Sequence, residues 1–337
     1  MWRRYIYLLS LIMLIQLSIS ANLSFSQEKE DKEGKFLRSG KLLKKPDNFK
    51  FFSSAGIFFG YDSNVNLSPV RKGDLFQEFL YTFDFKKPLR NSFGFIFTYD
   101  LDVLNYNEIT AASNILNHLK FIIDKKISSF VIGTGYNLDV FFYQHNKDED
   151  GDFLFHKFPF YIKHNISRKL YQQLLFEYGI KAHLDRKALA DTISTYQDKE
   201  LVDKRQVIEY SIGSTLTPKV FLGFRTRFIM NDSNARYLDY YDYKAYEFSP
   251  NLNYKLSRDI SLISRFSFTR RAYHSRLVSL ATDKEKENIY SALFGIRYKL
   301  SKNNLVSIFY TYRDDVSKDP LEKYTENIFT CGWQYNF

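Results

Sequence analysis

From Phe51 to Phe337 apolar and polar residues change places at every second position, and no stretch sustains an apolar 3.6-residue period. In 93–103, Phe93, Phe95, Phe97, Tyr99, Leu101 and Val103 share one face, while Gly94, Thr98, Asp100 and Asp102 share the other. In 129–143, Phe130, Ile132, Tyr136, Leu138, Val140 and Phe142 oppose Ser129, Gly133, Gly135, Asn137 and Asp139. In 219–231, Val220, Leu222, Phe224, Phe228 and Met230 oppose Gly223, Arg225, Arg227 and Asn231. A period of two is that of a strand with one apolar and one polar face. Fourteen such strands are expected, near 51–60, 75–85, 93–104, 113–124, 129–143, 153–165, 170–184, 205–216, 220–231, 242–256, 260–274, 287–300, 304–314 and 324–337. Each is long enough for a tilted membrane crossing, which takes about 9–11 residues.

The alternation reconciles two facts of composition. Aromatic residues reach 18%, with 33 Phe and 26 Tyr, yet charged residues make up 26% and the mean hydropathy is negative. A bundle of membrane-spanning helices is excluded, because it needs long uncharged runs. The single cysteine, Cys331, excludes a disulfide framework and a cysteine zinc site.

Connection lengths alternate too. KKPLRNS, KKIS, ISRK, TPK, SRD and SKN follow the even strands, whereas 61–74, 105–112, 144–152, 185–204, 232–241, 275–286 and 315–323 follow the odd ones. Short turns at one end and long loops at the other describe an antiparallel transmembrane β-barrel of about 14 strands with both termini periplasmic. A soluble β-sandwich would also alternate, but it gives no reason for the loop asymmetry.

Arg3 and Arg4 precede an apolar run at 5–19, and small residues at Ser18 and Ser20, or at Ser24 and Ser26, offer cleavage before Ala21 or before Gln27. This is the pattern of a cleaved secretory signal peptide over 1–26; the run is short for a spanning anchor. Residues 27–50 read as a flexible periplasmic tail, and 51–337 as the barrel. The net charge of +10 suits a nucleic-acid partner only in a protein that stays inside the cell, so export removes that reading.

The chain ends TCGWQYNF. This resembles the terminal-strand signal of proteins handled by the outer-membrane barrel assembly machinery, with Thr330, Gly332, Tyr335 and Phe337 at the matching positions. The alternating Phe329, Cys331, Trp333, Tyr335 and Phe337 form an apolar stripe for lipid. The stretch from Gly60 to Pro69, GYDSNVNLSP, is similar to the element that opens the barrel domain of the surface lipoprotein assembly modifier family. The resemblance implies a 14-strand barrel. That family's periplasmic helical repeats have no room in the short segment before Phe51.

Chemical motifs are sparse. Asp62, Asn64 and Asn66 are spaced like the start of a calcium loop, but Leu67 and Gly73 stand where that loop needs its glycine and its final glutamate. An Asx-rich turn is the better reading, and no metal or cofactor is expected. The acidic run Asp148–Asp152 reads as a solvated loop. The six His are scattered, no catalytic or nucleotide-binding motif occurs, and no enzyme is expected.

Positions opposite the apolar faces should line the lumen. Glu78, Asp84, Asp100, Asp102, Asp124 and Asp139 make one wall acidic, with Lys120 the main basic exception. Arg225, Arg227, Arg265, Arg271, Arg297, Lys299 and Arg313 make the facing wall basic, with Glu247 the exception. Such a field favours small polar solutes over apolar ones. The function expected is an outer-membrane channel for small hydrophilic solutes, surrounded by outer-membrane lipids and lipopolysaccharide. An export translocator for a lipoprotein or exopolysaccharide, or a structural or adhesive barrel, are the alternatives.

Overall fold

The computed structural model describes residues 49–144, 151–279 and 283–337. The expected signal peptide and nearly all of the tail lie outside the described residues, as do the first three residues of the acidic run. Fourteen strands follow in chain order: β1 Lys50–Asp62, β2 Asp74–Pro88, β3 Phe93–Tyr106, β4 Asn114–Ile127, β5 Phe130–Tyr143, β6 Phe153–Asn165, β7 Leu170–Leu189, β8 Tyr196–Thr217, β9 Val220–Ser233, β10 Tyr243–Lys255, β11 Ile260–Leu277, β12 Lys284–Lys299, β13 Asn304–Ser317 and β14 Tyr324–Asn336. Every strand pairs antiparallel with its chain neighbours, and β1 pairs with β14, so the sheet is a closed barrel. Closure leaves no edge of unpaired backbone groups, which is the condition for a sheet to sit in lipid.

The outward face carries the apolar side chains. Ile57, Phe59, Phe176, Phe294, Ile308, Phe329 and Trp333 are all well exposed on it. The inward face mixes charge with rings laid over glycines. Phe58 on β1 faces Gly332 on β14, and a methyl group at Gly332 would collide with that ring and with the Ile57 carbonyl. Tyr171 lies over Gly213 in the same way.

The Gly60–Pro69 element closes the same seam at the long-loop end. Ser63 N–H donates to the Asn327 carbonyl at 2.9 Å, and Asn327 N–H donates to Ser63 Oγ at 2.7 Å. Asn64 is fully buried and donates through Nδ2 to the carbonyls of Ser68 and Thr325. The Asp62 carboxylate accepts the Asn64 N–H and the Tyr106 hydroxyl. Those oxygens are engaged in fixing the turn, which is the Asx reading.

Two boundaries need correction, the lesser being that β11 runs on to Leu277 and β12 begins at Lys284, inside the expected loop 275–286. The segment 185–204 reads from sequence as the longest loop, but it is the upper part of a hairpin. β7 runs on to Leu189 and β8 begins at Tyr196. Register shifts between Ala182 and Lys187, and again before Leu189, break the strict period of two and hide the strands in a charged stretch. The extension is held by a small cluster of Ala188, Leu189, Leu201 and Ala235, packed against Tyr237, Tyr240 and Tyr241 of the loop after β9.

Candidate functional site

Strand register decides which charges share the interior. Phe58 pairs with Glu78, Leu80 with Asp102, Thr82 with Asp100, and Asp84 with Thr98. Paired residues point to one side of a sheet, so these acids stand on the face opposite Phe79, Phe83 and Tyr99. Asp100 is then opposite His118, Thr98 opposite Lys120, His118 opposite Asp139, and Asp124 opposite Gly133. On the far side, Arg225 pairs with Ser211 and Ser249, Arg227 with Glu209 and Glu247, and Arg265 with Asn251. Arg271 pairs with Glu287, Arg297 with Ser307, Lys299 with Leu305, and Arg313 with Glu326. All the charged positions named from the sequence therefore share one face of the sheet, opposite the exposed apolar side chains.

Their electrostatics differ from two uniform walls. The basic side is a ladder of ion pairs. Arg225 meets Glu247 at 2.8 Å, and Arg227 lies 3.4 Å from both Glu209 and Glu247. Arg271 meets Glu287 at 2.8 Å, and Arg313 meets Glu326 at 3.1 Å. Above them Arg276 joins Glu285 at 2.6 Å and stacks on Tyr240 and Tyr273. Glu247 is thus not the lone exception: Glu209, Glu285, Glu287, Asp315 and Glu326 also face inward. On the acidic side Lys120 is joined by Lys157, which pairs with Asp139 together with His118. Asp124 accepts the Tyr161 hydroxyl, and Asp84 accepts the Thr98 hydroxyl. Alternation reports the face of a residue but not its cross-strand neighbour, so partners separated by a hairpin stay hidden. One signal was available: the run Lys284-Glu-Lys-Glu287 places both glutamates at the parity of the inward Ile289.

After pairing, two clusters of like charge stand without ion pairs among the described residues, as do single groups on the same face such as Lys120, Lys181, Arg205 and Asp315. Among the described residues Glu78, Asp100 and Asp102 have no ion-pair partner, and a carboxylate oxygen of Asp102 is buried without a hydrogen bond. Arg265, Arg297 and Lys299 have none either, and all three are exposed on the inward face. Glu78 and Asp102 lie toward the long loops on their strands, whereas Arg297 and Lys299 lie at the short-turn end.

Between Arg225 and Arg265 a niche of about 260 Å³ opens over β10, lined by Ser249, Asn251, Gly223, Ser211 and Tyr171. Gly223 keeps its floor open, because a methyl group there would run into the Asn251 amide. Arg225 is held by Glu247, whose carboxylate also accepts the Ser249 hydroxyl at 2.8 Å. The niche thus offers one anchored and one free guanidinium beside neutral polar groups and one carboxylate, Glu209, which Arg227 pairs; the two guanidiniums suit an oxyanion. Among the described residues no group of three or more metal-ligating side chains occurs.

No family model matches the sequence, and no curated protein matches it. Solved structures do match, at the level of fold. A loop-deletion mutant of OmpT, an outer membrane protein of Vibrio cholerae, superposes with a TM-score of 0.51 at 11% identity, over 87% of this chain and 100% of that one. The outer membrane channel DcaP of Acinetobacter baumannii gives 0.52 at 8% identity, over 89% and 100%. An anion-selective porin from Comamonas acidovorans gives 0.51 at 8% identity, over 86% and 100%. The fold is that of outer-membrane β-barrels.

Proposed function

We propose that the chain is an outer-membrane channel that passes small hydrophilic solutes, with oxyanions preferred at the Arg225–Arg265 niche. The observation that carries this reading is the pair of uncompensated, inward-facing charge patches in a closed barrel. A barrel built only for stability would neutralise Arg265 and Arg297 as it does Arg225, Arg271 and Arg313. Free charges facing water attract and orient solutes of opposite sign. Membership of the fold class of porins and channels supports the same reading.

In this reading the short turns and both termini face the periplasm, the long loops face outward, and a signal peptide at 1–26 directs export. Thr330, Gly332, Tyr335 and Phe337 engage the assembly machinery, and Gly332 has in addition its packing role under Phe58. The Gly60–Pro69 element serves barrel closure, which accounts for its residues without an export client.

Planar-bilayer conductance of the full chain tests the proposal. Discrete steps with a reversal potential that depends on ion identity are expected. A folded, inserted barrel that never conducts would overturn the channel reading.

A further inference from the structure

Glu285 and Glu287 point inward, so Lys284 and Lys286 of the same strand project outward, and both are exposed. Lys286 pairs with Ala272 and Lys244 pairs with Ala272 from the other side. Lys318 joins that row beyond Lys286, bonded through its N–H to the Lys286 carbonyl. Arg270 stands one outward position lower, between Tyr246 and Asn288. The result is an outward-facing arc of cations across β10–β13 with a small residue, Ala272, as its saddle. Directly beneath it lie Tyr246, Phe248, Phe268 and Tyr290, with Phe268 and Tyr290 in ring contact.

Lys244, Arg270 and Lys286 have no ion-pair partner among the described residues; Lys318 has a loose one in Asp283 at 3.4 Å. The outward Asp314 nearby accepts the Thr325 hydroxyl instead. Among the described residues the opposite wall lacks such an arc. At the long-loop end its outward positions include Tyr61, Leu75, Gln77, Val103, Asn105 and Ile115. A general need to border water would distribute cations around the rim. Their concentration above an aromatic band on one wall calls for an anion at headgroup height.

We propose that Lys244, Arg270, Lys286 and Lys318 dock the phosphate groups of a phosphorylated lipid in the leaflet at the long-loop end. The inference rests on the reading of the chain as a membrane barrel. The lysines snorkel around Ala272 to one phosphate, and Arg270 reaches it from below while its stem covers Phe268 and Tyr246.

The test is lipid retention by the full chain, folded into phosphatidylcholine vesicles with and without added lipid A, then exchanged into detergent and assayed for bound lipid phosphate. The wild type should retain lipid A selectively, and K244S/R270S/K286S should bind it on the order of a hundredfold more weakly, given the attraction each of three surface cations adds. K125S/K219S, at the short-turn end, should behave as wild type, and heat-modified gel mobility should be the same for all three. Equal retention by the wild type and the triple variant, or no selective retention by a folded wild type, would overturn the docking surface alone. Failure to fold into either vesicle would overturn the membrane reading and this inference with it.

Discussion

The β2–β5 wall and the β9–β13 wall carry comparable numbers of inward charges and treat them oppositely. On β9–β13 each arginine toward the long loops is met by a carboxylate one strand away, as in Arg271–Glu287 and Arg313–Glu326. On β2–β5 Glu78, Asp100 and Asp102 stand beside other acids or neutral groups. The first arrangement stiffens a wall; the second leaves charge available to solute. The net field therefore comes from fewer residues than a count of inward charges suggests. Between the two clusters it also has a component along the pore axis, since Glu78 and Asp102 lie toward the loops and Arg265, Arg297 and Lys299 toward the turns.

The largest effect that would break this comparison is on stability. Glu287→Gln strands Arg271 beside Tyr273 and Tyr243, and should cost on the order of 2 kcal/mol, below the roughly 3–5 of a fully buried pair because Arg271 is partly exposed. Asp100→Asn removes a charge that has no partner and should cost nothing or stabilise. Urea unfolding in lipid vesicles measures both, and equal losses would erase the distinction between the walls.

Ion selectivity sharpens the comparison. R265S/R297S should move the reversal potential toward cations with no loss of stability, and D100N/D102N should move it toward anions. Both shifts should shrink in 1 M salt, where the Debye length is about 3 Å. Identical reversal potentials at low salt would sink the role of the free patches.

Between the two walls, β7 and β8 are the longest strands among the described residues, and their hairpin has its tip near Thr192. A protease site inserted there should be cut on intact cells. Cleavage only after lysis would reverse the assigned orientation.

The smallest effect concerns the loop after β13. Burial pushes the Asp319 carboxyl up, but donors from Ser279 and from the Leu321 backbone outweigh it, together with the charge of Arg276, and hold it below the usual carboxylate range. The resulting stability is present above the ordinary carboxylate pKa and is lost as pH falls through the lowered one. Ser279→Ala should cost about 1 kcal/mol at neutral pH, and the difference from wild type should vanish in strong acid. A cost that persists there would assign it to packing.

A strand's period of two is a local property, so the number of strands, their inward faces and the unequal loops are all legible in the sequence. Asp100, Asp102, Arg225 and Arg227 are placed on the inward face by their chain neighbours alone. The hairpin at 185–204 is not legible there, because bulges reset the parity and its apolar anchors, Leu201 and Ala235, meet only across strands. The same limit conceals the meaning of the charges. Glu287 pairs with Arg271 and Glu326 with Arg313 through register, which turn geometry and strand twist determine over many residues. Alternation assigns each side chain to a side of the sheet. Only the closed barrel decides which opposite charges stand within reach, and hence which remain free to act.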